Sequence, residues 1–66
     1  MITPLQHLTD LYYTEQLTHA EYRDALKALY ASETDVRELA KIRVQFVRVS
    51  VTLAAIEIAT EDEAHE

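Results

Sequence analysis

The sequence predicts an all-α fold: a helical hairpin over about 4–15 and 19–31, then a long amphipathic helix over about 34–60, paired with a second copy as a dimeric helical bundle. Three observations lead there. The 66 residues include no glycine and no asparagine, so type I′ and II′ β-hairpin turns lack the residues they lean on. Helix-start signatures recur along the chain. Apolar residues in the C-terminal half follow helical spacing for about 20 residues, too long for an ordinary strand.

The first start is Thr3-Pro4-Leu5-Gln6, with Thr3 as N-cap, Pro4 at the first helical position where a missing N–H costs nothing, and Gln6 placed to close a capping box. Leu5, Leu8, Leu11 and Tyr12 then follow at helical spacing. The second start is Thr18-His19-Ala20-Glu21, a capping box with Leu17 and Tyr22 placed as a hydrophobic staple. Tyr22, Ala25, Leu26, Leu29 and Tyr30 share one face of that helix. The third start lies in Ser32-Glu33-Thr34-Asp35, where Ser32 or Thr34 is the expected cap and the acids suit a helix N-terminus.

The third helix carries two apolar lines. Leu39, Ile42, Phe46, Val49, Leu53 and Ile56 keep the 3,4 spacing of heptad a and d positions. Val44, Val47, Val51, Ala54 and Ile58 form a second line, roughly 150° away at 100° per residue. A strand over Val47–Leu53 is the competing reading, since β-branched residues alternate there with Arg48, Ser50 and Thr52. Its alternation breaks phase at Phe46–Val47, whereas the helical pattern persists.

A helix covering one side of a monomeric core needs one apolar line, so two imply packing on two sides. Length points the same way. A helix over 34–60 is about 40 Å long, and a hairpin of two 11–13-residue helices spans only about 17–20 Å beside it. The expectation is a homodimer about the long helix, antiparallel by preference, with Phe46, Val47, Val49, Val51, Leu53, Ile56 and Ile58 as its interface. Which line faces the hairpin and which faces the second copy is left open.

Composition excludes several functions. Six Lys and Arg against twelve Asp and Glu give a net charge of −6, which opposes nucleic-acid binding because that draws on cations neutralising phosphates. All six cations fall between Arg23 and Arg48, and a basic waist of Arg37, Lys41, Arg43 and Arg48 leaves a nucleic-acid regulator as a minor alternative. The longest uncharged apolar run, Val49–Ile56, falls far short of the ~18–20 residues that span a bilayer. No secretory signal is read at Met1–Gln6, and with no cysteine the expected location is cytoplasmic, in the producing cell or a host. Residues 1–60 read as one helical domain and 61–66 as an acidic disordered tail.

No catalytic, cofactor or metal site is expected. His7, His19 and His65 lack metal-binding spacing, and His19 reads as an exposed helix residue. Phosphate-binding and nucleophile-elbow motifs require glycine. The four tyrosines carry more information, since interfaces favour tyrosine for its contact area and polar handle. Tyr12, Tyr22 and Tyr30 lie on apolar faces, while Tyr13 lies off them. Tyr12, Tyr13, Tyr30, Arg37 and Lys41 are the expected partner-binding residues.

Residues 8–30, with Leu8-Thr9-Asp10-Leu11, Leu17-Thr18-His19-Ala20-Glu21-Tyr22 and Leu29, resemble the helical hairpin of short C-terminal (SHOCT-type) domains. The glycine usual before the Leu-Thr of that pattern is Gln16 here, and the hairpin is N-terminal. The resemblance implies a two-helix oligomerisation or protein-contact module without catalytic residues. In size, acidity and lack of glycine the chain is also similar in type to phage-encoded inhibitors and small chaperones or adaptors. The expected function is therefore a non-enzymatic protein-binding regulator (inhibitor, anti-activator or adaptor) acting as a homodimer on an unidentified protein partner. A self-assembling structural module is the alternative.

Overall fold

A computed structural model of the chain describes residues 2–64, with side chains described through Thr60. It is all-α: α1 (Pro4–Tyr13), α2 (His19–Ser32) and α3 (Val36–Ala64). The strand reading of the third segment is set aside, because α3 is continuous through Val47–Leu53.

Local chemistry accounts for each helix start. The Thr3 hydroxyl accepts from the Gln6 N–H at 3.1 Å, with Pro4 opening α1. At α2 the capping box is complete: the Thr18 hydroxyl accepts from the Glu21 N–H at 3.1 Å, and the Glu21 carboxylate accepts from the Thr18 N–H at 3.0 Å. Among the described residues this reciprocal bond forms at α2 and not at α1. The start of α3 corrects the expected cap. Asp35, not Ser32 or Thr34, accepts from the Arg37 N–H at 2.8 Å. Ser32 is instead the last residue of α2 and donates to the Leu29 carbonyl, while the Glu33 carboxylate accepts from the N–H groups of both Thr34 and Asp35.

The α1–α2 connection is a Schellman turn. The Gln16 N–H reaches the Leu11 carbonyl at 2.9 Å and the Glu15 N–H the Tyr12 carbonyl at 3.1 Å. Glu15 stands at φ 63°, the left-handed conformation that glycine adopts without a Cβ penalty.

The helices run antiparallel in sequence order, α1 beside α2 and α2 beside α3. Leu5, Tyr22, Leu26, Ile42 and Val49 form the buried core, with Leu8, Tyr12, Leu17, Leu29, Phe46 and Leu53 packed against it. Leu26 is 0% and Ile42 1% exposed. The inner line of α3 is thereby identified as the Ile42, Phe46, Val49, Leu53 series. Val49, expected in the dimer interface, is only 3% exposed and belongs to the intrachain core. Tyr22 lies with Val49 and Thr52, so α2 begins beside the middle of α3 and runs back toward its start. Beyond Leu53 every side chain through Thr60 is exposed. At 29 residues α3 is about 43 Å long against about 21 Å for the 14 residues of α2. The molecule is accordingly elongated, 49 × 22 × 14 Å.

The helix continues through Ala64, past the expected end near 60; of the expected acidic tail, His65 and Glu66 lie outside the described residues. No described helix is long and apolar enough to cross a membrane.

Candidate protein-binding surface

Three surfaces follow from this packing. The first is the outer face of α3. Val44, Val47, Val51 and Ile58 are all exposed, Val51 at 64%, and Val36 extends the same side at the start of the helix. They lie opposite Ile42 and Val49, so the hairpin cannot cover them. A folded 7.6-kDa monomer exposes about 4,300 Å² by the usual size scaling. This chain exposes 5244 Å², about 900 Å² more. The extra area reflects the elongated shape as a whole, and within it Val44, Val47, Val51 and Ile58 form a continuous exposed aliphatic line.

The second surface is an aromatic corner at the α1–α2 turn. The Tyr12 and Tyr22 rings stack with centroids 4.2 Å apart and planes 7° from parallel. Tyr13 tilts against Tyr12 at 5.4 Å, and His19 meets Tyr12 edge-on at 5.5 Å. The Tyr12 hydroxyl and His19 Nδ1 share a 2.7 Å hydrogen bond, with the donor set by the imidazole tautomer. The Tyr22 hydroxyl and Thr9 Oγ1 share another at 3.0 Å. Burial pushes the Tyr22 hydroxyl above its usual pKa of 10.0, and the Thr9 hydrogen bond offsets part of that rise. These bonds hold Tyr12 and Tyr22 in place and leave Tyr13, 68% exposed, at the outside of the corner.

The third is an open groove of about 390 Å³ between α2 and α3, with Leu26, Ile42 and Phe46 as apolar lining and Lys27, Arg43 and Tyr30 beside them.

The expected interface residues are thus divided. Val47, Val51 and Ile58 stand on the free outer face. Phe46 and Leu53 are half-buried against the core, and Val49 is inside it. Ile56 is exposed, but it continues the inner line beyond the end of the hairpin. Among the expected partner-binding residues, Tyr13, Tyr30 and Arg37 are exposed. Lys41 is exposed and donates to the Glu38 carboxylate at 3.2 Å. Tyr12 is half-buried and acts as a support for the corner, because its ring is enclosed by Tyr13, His19 and Tyr22. His19 is likewise part of that corner, where the sequence had suggested an exposed residue.

Two features escaped the sequence reading. Val36 belongs with the outer face, which the sequence reading began only at Val44. The Tyr12–His19 pair spans the turn at a separation of seven residues, and only the angle between the helices brings it together. Among the described residues, no three His, Asp or Glu side chains gather where a metal ion could be held.

No protein-family model, curated protein or solved structure matches the chain, so the geometry of these surfaces is what bears on its function.

Proposed function

We propose that the chain is a non-enzymatic protein-binding regulator, an inhibitor, anti-activator or adaptor, that acts as a small helical homodimer. The observation that carries this reading is the second apolar line of α3. Val44, Val47, Val51 and Ile58 remain exposed although the hairpin has already covered the opposite side of the helix. Dimerisation uses the outer face and leaves the aromatic corner free, with Tyr13 and Tyr30 exposed for a protein partner. Tyrosine suits that role, since it combines a large rigid contact area with one polar group. The SHOCT-like pattern over residues 8–30 is in keeping with a hairpin that serves oligomerisation or protein contact. In this reading the protein works in the cytoplasm of the producing cell or of a host.

Equilibrium sedimentation supplies the first test. The expected mass is twice 7.6 kDa over a range of loading concentrations. A mass that grows steadily with concentration favours the self-assembling module instead. The partner face is tested by recovering proteins from the native lysate on tagged chain. Tyr13→Ala is expected to lose the recovered protein while keeping the wild-type mass and helicity, and unchanged recovery removes the corner from the partner site.

A further inference from the structure

The outer face of α3 also carries information about the orientation of the second copy, and this inference rests on the homodimer just proposed. With Val44, Val51 and Ile58 as heptad a positions and Val47 and Ala54 as d positions, Arg43 and Glu57 fall at g and Arg48 at e. Those flanking positions decide pairing, because they lie beside the apolar seam. In a parallel pair, g of one helix faces e of the next heptad on the other. Arg43 would then face the partner subunit's Arg48, twice by symmetry, and both contacts join like charges. In an antiparallel pair, g faces g and e faces e.

We infer that two α3 helices pair antiparallel through their outer faces, with Arg43 of each chain against the partner subunit's Glu57. The apolar layers fit this register. Val47 meets the partner subunit's Val51, Val44 meets the partner subunit's Ala54, and Ala40 meets the partner subunit's Ile58. Each larger side chain opposes a smaller or equal one, whereas a parallel pair stacks alanine on alanine and isoleucine on isoleucine. One like-charge contact is left, Arg48 against its own copy at the two-fold axis, in place of the two in the parallel arrangement, and Arg43 meets an opposite charge. Arg43, Arg48 and Glu57 are all exposed, and among the described residues none has an ion-pair partner within its own chain. The hairpin packs on the side of α3 that carries Ile42 and Val49, and Arg43 stands at its margin, beside Lys27 and Tyr30 in the α2–α3 groove.

Charge reversal tests the orientation without touching the core. Arg43→Glu is expected to raise the dimer dissociation constant about tenfold, through two symmetric contacts turned from attractive to repulsive, and to steepen its relief by salt. Glu57→Arg has the same expected effect. The double variant R43E/E57R is expected to return to within about threefold of the wild type. In a parallel dimer Arg43→Glu would instead face the partner subunit's Arg48 and tighten association, which overturns the inference. A spin label at Val36→Cys gives an independent distance: about 40 Å between the two labels for the antiparallel pair, against about 10 Å for a parallel one. A dimer with the short distance sinks the orientation alone, whereas a wild-type chain that sediments at single-chain mass sinks the homodimer reading itself.

Discussion

The two sides of α3 carry nearly the same chemistry and meet different fates. On the inner side Ile42 and Val49 are 1% and 3% exposed, shut in by α1 and α2. On the outer side Val44, Val47, Val51 and Ile58 stand clear. Both lines are apolar and both follow heptad spacing. The inner line has the bulkier set, with Leu39, Phe46 and Leu53, and it has a hairpin that folds back onto it. Nothing in the chain folds back onto the outer line, and in the proposed homodimer a second copy covers it. An apolar helical face is therefore a demand for a partner, and chain connectivity decides whether that partner is internal.

Substitutions at matched positions break the comparison most sharply. Ile42→Ala is expected to cost about 2–5 kcal/mol, because it opens a cavity at the centre of a small core. A domain of this size has little stability in reserve, so circular dichroism should show loss of the cooperative melt. On the outer side, Val51→Glu is expected to keep a cooperative melt while removing the concentration dependence of its midpoint, since it burdens the dimer and leaves the internal core intact. If Val51→Glu abolished folding as Ile42→Ala does, the two sides would not be distinct.

Smaller effects refine the hairpin that makes the inner side possible. Glu15→Gly is expected to stabilise the fold by about 1 kcal/mol, because Glu15 holds a left-handed backbone conformation at φ 63° without glycine's freedom. Chemical denaturation would show this as a higher midpoint at unchanged slope. Tyr22→Phe is expected to cost about 1 kcal/mol or less through the lost bond to Thr9. The same variant has a pH signature. The folded chain holds the Tyr22 proton more tightly than the unfolded chain, so the associated stability is complete below pH 10 and falls as pH rises through 10 toward the raised value. Tyr22→Phe should flatten that alkaline decline relative to wild type.

Much of this architecture is legible in the sequence for identifiable reasons. Thr3-Pro4 and Thr18-x-x-Glu21 are local signals whose bonds close within one helical turn; both threonine caps form, and the full capping box forms at Thr18 but not at Thr3. The third start was less legible because three capping-type residues, Ser32, Thr34 and Asp35, stand within four positions. Glu33 takes two of the amides, so the helix begins one residue after Asp35. The turn at Glu15 is silent in sequence, since a glutamate there carries none of glycine's conformational signal. The assignment of the two apolar lines needed tertiary information. Spacing shows that α3 has two sides, and only the path of the chain after Tyr13 and Ser32 shows which one the hairpin reaches. Tyr12 and His19 illustrate the same limit, because their hydrogen bond joins residues that local periodicity never relates.

The central claim, that a second copy covers the outer face of α3, is tested most directly by amide hydrogen exchange of Ala54–Thr60 at high and low protein concentration. These residues lie beyond the reach of the hairpin, and all their side chains are exposed in the single chain. The account predicts strong protection at concentrations that favour the dimer and near-complete loss of it on dilution, while Leu26 and Ile42 stay protected far longer. Protection of Ala54–Thr60 that is the same at both concentrations would contradict it.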